Sequence, residues 1–181
     1  AVTVTIAPFN YDPKSGRLLV TKNARFKISL ASGIPFYNSV PGSFSELFTG
    51  LFINHECLRF TPTNNYLIIT APEYEAVMAP FVSYKSAMGY NVLMVNTSAT
   101  GTTNAEILNY IQARYNNIAT RPEFILLAGD VDKIPGWTGI GSDNPQTDLN
   151  YTLLEGSDAY ADAFIGRFPA ANITHIPNMI N

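Results

Sequence analysis

The chain has 181 residues, 46% of them hydrophobic and 14% charged, with a net charge of −3. That is enough apolar material for the core of one large or two small domains and excludes a disordered chain, while the slight acidity leaves no basic footprint for nucleic acid. A single cysteine, Cys57, excludes an internal disulfide, and no apolar run approaches the roughly 20 residues of a membrane-spanning helix.

The chain opens at Ala1-Val2-Thr3 in a strand-like alternation and closes at Ile180-Asn181 in a helix-like stretch. With no initiator Met and no leader at the front, this predicts a fragment of a longer protein. Residues 1–30 read as β structure. Val2, Val4 and Ile6 alternate with threonines, and Asp12-Pro13-Lys14-Ser15-Gly16 is a turn cluster. Arg17–Val20 and Ala24–Leu30 are two more strands, the last with Phe26, Ile28 and Leu30 on one face. Residues 31–65 follow no clean period and predict a linker with local structure.

From residue 66 the pattern is regular. Tyr66 to Thr70 is a continuous apolar run, as in a strand buried on both faces. Ala71-Pro72-Glu73 predicts a helix start, with Glu73 and Glu75 at its positive end. The helix runs over 73–88, with Val77, Met78, Phe81 and Val82 at helical spacing, a kink expected at Pro80 and a stop at Gly89. Residues 91–95 are a second strand. Thr103-Asn104-Ala105-Glu106 matches the capping box of a second helix over 103–118, whose apolar face is Ile107, Leu108, Ile111 and Tyr115. Residues 123–128 are a third buried strand, ending in Gly129-Asp130. A Gly/Pro-rich loop at 135–146, strand-like segments near 148–153 and 161–166, and a helix start after Pro169 follow. The β-α-β-α-β order predicts an α/β fold with a parallel sheet and right-handed crossovers.

Several residues invite a functional reading. Asp130 ends the third strand, where open parallel sheets gather ligands; the plainer reading is that it caps the following turn. No glycine-rich phosphate loop follows any strand, which disfavours nucleotide binding. His55 and Cys57 are two apart in the irregular linker, and such a pair needs an ordered pocket before it can act as nucleophile and base. His175 falls on a helix surface near the end. Asp143, Asp148, Asp158 and Asp162 could offer oxygens to calcium, but their spacing matches no EF-hand, and turn-forming, solvated aspartates are the plainer reading. Three N-x-[ST] patterns, at Asn96, Asn150 and Asn172, are attributed to chance in a chain rich in Asn and Thr.

Taken in order, Tyr66 to Thr70, Phe81-Val-Ser-Tyr-Lys85 with Gly89-Tyr90, Ile125-Leu-Leu-Ala-Gly-Asp130 with Ile134-Pro135, Thr147-Asp148-Leu-Asn-Tyr151, and Asp162-Ala-Phe-Ile-Gly-Arg-Phe-Pro169 resemble the gingipain-type cysteine peptidases. The resemblance covers residues 60–181 and implies a caspase-like α/β fold of two subdomains, of which this stretch is similar to the first. Residues 1–59, through Ala7-Pro8-Phe9-Asn10-Tyr11-Asp12-Pro13 and Gly16-Arg17-Leu18, resemble the end of the family's β-rich pro-domain, and Arg59-Phe60-Thr61-Pro62 resembles its maturation junction. The resemblance also implies that the nucleophilic Cys, its His in a Gly-His-Gly stretch and the supporting acid follow the Ile-Gly-Arg-Phe segment. No residue here matches them, so no catalytic residue is assigned, Cys57 and His55 included.

The expected organisation is therefore a pro-domain end and linker over 1–59 and a first catalytic subdomain over 60–181, with Arg59 and Phe60 as the activation bond. The expected function is the front part of a secreted bacterial cysteine endopeptidase precursor. It needs no cofactor. Its partners are the remaining C-terminal part of the same protein and protein or peptide substrates. The alternative is a secreted, non-enzymatic α/β interaction module with a degenerate peptidase fold.

Overall fold

The structure, a computed structural model, describes residues 7–23, 25, 40–51, 60–61, 63–141 and 143–180. Its contacts divide the chain into two compact units, Ala1–Phe36 and Tyr37–Asn181. In the first, β1 (Phe9–Asp12) and β2 (Arg17–Val20) form an antiparallel hairpin. The Asp12 carboxylate closes the turn by accepting from the Lys14 amide and the Ser15 hydroxyl, and Gly16 takes the positive φ that ends it. The turn cluster and the Arg17–Val20 strand are thus as the sequence predicts. The strands expected over 2–6 and 24–30 lie outside the described residues, Arg25 excepted.

The second unit begins with β3 (Val40–Pro41), a 3-10 turn at Gly42–Phe44 and α1 (Ser45–Leu51). β4 (Phe60–Thr61) pairs in parallel with β3. Then come β5 (Asn65–Thr70), α2 (Glu75–Ala87), β6 (Asn91–Asn96), the single turn α3 (Thr97–Thr100), α4 (Asn104–Tyr115) and β7 (Phe124–Ala128). β8 (Trp137–Thr138) and β9 (Gln146–Thr147) make a small antiparallel pair inside the glycine-rich loop, and β10 (Phe164–Phe168) and α5 (His175–Ile180) complete the unit.

The main sheet has the order β10-β7-β5-β6, and every pairing in it is parallel. Because side chains alternate along a strand, Leu67, Ile69, Ile125 and Leu127 point to one face, where Ile107, Ile111 and Tyr115 of α4 cover them. Ile68, Leu126 and Ala128 point to the other, under Tyr74, Met78, Phe81 and Ile176. Both faces are buried, which is why these strands read as unbroken apolar runs. The capping box is formed as the sequence predicts. The Thr103 hydroxyl accepts from the Glu106 amide, and the Glu106 carboxylate accepts from the Thr103 amide. A side chain at Gly101 would sit 2.3 Å from the Glu106 Cβ, so the turn into α4 requires glycine.

Five expectations need correction. Residues 149–152 form a 3-10 turn, not a strand; Tyr151 and Thr152 point into the core from a tight turn, and their apolar character imitates a strand. The segment expected near 161–166 begins as a strand only at Phe164, because Asp162 is engaged in closing the preceding loop. The first helix opens with a 3-10 turn at Pro72–Tyr74 and continues through Pro80 to Ala87, with Met78 and Phe81 buried on either side. The second ends at Tyr115, where the Thr120 hydroxyl and the Arg121 Nε donate to the last carbonyls. The last helix begins at His175, further along than Pro169 suggests.

Candidate functional site

The chain leaves β5 through α2 to reach β6 on one side, and returns through α4 to β7 on the other. The carboxyl ends of β5 and β7 therefore flank a topological switch point, the position at which open α/β sheets bind ligands. In this unit the crevice is bridged by protein. The Ala71 amide donates to the Ala128 carbonyl at 3.2 Å. The buried Tyr74 hydroxyl reaches the Ala170 carbonyl at 3.0 Å. Over them Lys133 pairs with Glu73 at 2.9 Å. The hydrogen bond from Lys133 holds the Glu73 carboxyl below its ordinary range, and Glu73 in turn raises Lys133.

Asp130 leads out of β7. Its amide donates to the Ala170 carbonyl, its carbonyl accepts from the amides of Lys133 and Ile134, and Oδ1 accepts from the Val131 amide at 2.8 Å. The turn-capping reading of Asp130 therefore describes its observed bonds. Gly129 before it has φ +150°, and a Cβ there would lie 3.0 Å from that of Lys133, so the tight exit from the strand depends on glycine.

The residues that carry the family resemblance meet at this edge. Arg167, on β10, spends its guanidinium on four bonds. Nε and Nη2 form a bidentate pair with Asp148 at 2.9 and 2.6 Å, and Nη1 donates to the carbonyls of Gly129 and Ile134 at 2.7 and 2.9 Å. Both side chains are largely buried, at 12% and 23% exposure. The Tyr151 hydroxyl donates to the Pro135 carbonyl, the Trp137 ring packs edge-on against Tyr151, and Asn104 donates to the Gly136 carbonyl. Burial pushes the Tyr151 hydroxyl well above its ordinary range, so it stays a neutral donor. The cluster fixes the loops outside the sheet but contains no nucleophile.

The remaining candidates do not come together. His55, Cys57 and Arg59 lie outside the described residues. His175 opens α5, with its Nε2 3.0 Å from the Asn172 amide nitrogen. Asp148 belongs to Arg167, Asp158 accepts from the Tyr160 amide, and Asp162 accepts from the amides of Leu154 and Glu155, both at 2.8 Å. Among the described residues no group of three or more His, Cys, Asp or Glu could hold a metal ion, and no helix is long and apolar enough to cross a membrane. Two of the glycosylation-like patterns have a structural role. Asn96 accepts from the Ser98 amide, and Asn172 accepts from the amide and hydroxyl of Thr174, so each caps a local turn. A cavity of about 60 Å³ lies at the opposite edge of the sheet, lined by Asn65, Tyr66, Leu93, Arg114, Thr120 and Pro122 among others. It is far smaller than the ~300 Å³ at which ligand pockets begin.

Burial raises the pKa of Asp162 despite its two backbone donors, with Glu155 and Asp158 adding to the effect. A carboxyl raised on folding contributes stability below its unfolded pKa and loses it as pH rises through the folded value. Asp162→Asn keeps an acceptor for both amides and carries no charge. Near pH 7 it is expected to be at least as stable as the parent, with the difference shrinking as pH falls through the range just above ordinary aspartate values. Urea unfolding at several pH values checks this, and a gap that widens on acidification refutes it.

Sequence reasoning did not single out Arg167 as a clamp, nor Tyr74 and the Glu73–Lys133 pair. For Arg167 a signal exists: a lone guanidinium inside an apolar strand must find acceptors. For the others only the fold brings the partners together.

A family model described as Peptidase family C25 matches residues 60–181. Lys-gingipain of Porphyromonas gingivalis is 26% identical to the chain over an alignment that covers 98% of the chain and 11% of that protein. A solved structure described as "Structure of Protease" superposes with a TM-score of 0.60 at 26% identity, covering 66% of this chain and 27% of the other. The crystal structure of the Arg specific cysteine proteinase gingipain R superposes with a TM-score of 0.57 at 24% identity over 65% and 27%, a likeness of fold. The chain thus spans about a tenth of the length of the Lys-gingipain it matches.

Proposed function

Because the chain belongs to peptidase family C25, we propose that it is the front part of a gingipain-like cysteine endopeptidase precursor, secreted by a bacterium. On this reading residues 1–59 are the end of the pro-domain and a linker, residues 60–181 are the first α/β subdomain, and Arg59-Phe60 is the bond cut on maturation. The catalytic thiol and imidazole belong to the remainder of the protein. There a thiolate attacks the carbonyl carbon of a protein or peptide substrate, and the His gives a proton to the departing amine. This chain supplies the buried sheet and its clamped carboxyl-edge loops, against which the second subdomain packs.

The observation that carries the reading is the family match over residues 60–181, on a unit whose carboxyl edge is built from the very residues that resemble the family.

The full-length protein is expected to hydrolyse casein in the presence of a reductant and to lose that activity on alkylation. Cys57→Ala should leave it unchanged, and residues 1–181 alone should be inactive. Cleavage by residues 1–181 that disappears in Cys57→Ala would overturn the assignment. A full-length protein without thiol-dependent activity would instead favour the interaction module.

A further inference from the structure

At the amino edge of the main sheet four rings surround one ammonium. The Lys85 Nζ lies 5.4 Å from the ring centroids of Tyr66 and Phe81, 5.5 Å from that of Tyr90 and 5.8 Å from that of Tyr84. All four fall within the roughly 6 Å over which a cation is drawn to a ring face. Phe81, Tyr84 and Lys85 share the last turns of α2, at the spacings of three and four that bring helical side chains together. Tyr66 comes from the amino end of β5, and Tyr90 directly precedes β6. Three separate elements thus converge on the same charge.

The rings also brace one another. Tyr66 meets Phe81 edge-on at 6.2 Å and Tyr90 edge-on at 5.6 Å, and Phe124 stacks on Tyr66 at 5.7 Å. Phe81 is buried, whereas Tyr84 is 59% exposed and forms the wall open to solvent. Burial raises the Tyr66 hydroxyl above its ordinary range, with Tyr90 adding to the effect, so the ring stays neutral. Neither ion pair among the described residues includes Lys85, so its charge is faced by rings rather than by a carboxylate. A bare ammonium is a compact, strongly hydrated charge that bonds through its N–H donors, and ring faces are weak acceptors for them. A quaternary ammonium has no such donors to satisfy, and aromatic cages are the sites that recognise it.

We propose that Tyr66, Phe81, Tyr84 and Tyr90 form a binding cage for quaternary ammonium groups, and that Lys85 is its internal plug. An external ligand enters when the long, half-exposed Lys85 side chain swings into water. The plug then sets the apparent affinity. If Lys85 fills the cage about nine-tenths of the time, it weakens external binding about tenfold. The cage lies at the edge of the sheet opposite the switch point, and the inference does not depend on the peptidase reading.

The test titrates the full-length protein with choline and with trimethyl-lysine, and ligand-observed NMR reads the affinity. Lys85→Ala is expected to bind about tenfold more tightly than the parent. Adding Tyr84→Ala, which removes the exposed wall and spares the core, is expected to reverse the gain. The tighter of the two ligands tells whether a headgroup or a modified side chain is the better fit. Three results would overturn the proposal: equal binding by parent and Lys85→Ala, no binding by a folded Lys85→Ala, or a neutral carbon isostere of choline binding as tightly as choline. A second measurement needs no cage variant. Reductive methylation of the parent with labelled formaldehyde places methyl groups on its lysines. The Lys85 methyl signal, assigned by its loss in Lys85→Arg, is expected upfield of the other lysine methyls because ring faces surround it. A Lys85 signal that coincides with the others would show that the side chain does not occupy the cage, and the proposal fails.

Discussion

Arg167→Ala is expected to destabilise the Tyr37–Asn181 unit by about 3–5 kcal/mol, the usual cost of removing one partner from a buried ion pair. The loss has two parts. Asp148 is left as a largely buried carboxylate without its bidentate cation, and the carbonyls of Gly129 and Ile134 lose the donor they share. Against a typical total stability of about 5–15 kcal/mol, that is enough to populate unfolded chain. Arg167→Lys should recover only a small part, because an ammonium cannot offer the planar fork that meets Asp148 and both carbonyls at once. In the double variant Arg167→Ala/Asp148→Ala the two losses should sum to clearly less than their separate values, since each single change already strands the other partner. Urea unfolding of the parent, Arg167→Ala, Arg167→Lys, Asp148→Ala and the double variant measures this. A cost below about 1 kcal/mol for Arg167→Ala would place the pair among surface ion pairs and refute the clamp.

Ile69→Ala should cost about 3–5 kcal/mol, the range for a fully enclosed isoleucine. Ile69 has 0% exposure, near the carboxyl end of β5 and beneath α4, with β6 and β7 paired on either side of its strand. Leu149→Ala is the control: Leu149 is 44% exposed, and its loss should change stability by no more than about 0.5 kcal/mol. Thermal or urea unfolding separates the two, and similar small costs at both positions would refute the assignment of β5 to the centre of the sheet.

The parallel strands β5, β6 and β7 and the helices between them were legible because each rests on interactions within a few residues. A run such as Tyr66 to Thr70 is apolar on both faces only if both faces are covered. A capping box is complete within Thr103 to Glu106, and Gly89 ends α2 with a positive φ that other residues avoid. The gingipain-type motifs were legible as strings for the same reason. They could be read in order, but their order did not say what they bond to.

What the sequence alone determined, then, is the parallel α/β unit and its family. What tertiary structure alone decided is the work its motif residues do. Residues 149–152 have the apolar content of a strand, yet they turn, because Tyr151 is drawn to the Pro135 carbonyl and Trp137. Asp130, which pattern reading offered as a possible ligand, is occupied by its own turn. Arg167 finds Asp148, Gly129 and Ile134, and Phe44 finds Phe164, only once the strands lie side by side. The physical reason is range. Periodicity and capping are set by neighbours along the chain, whereas an ion pair or a ring stack between distant residues has no local signature, since either partner alone reads as an ordinary charged or aromatic residue until the fold supplies the other.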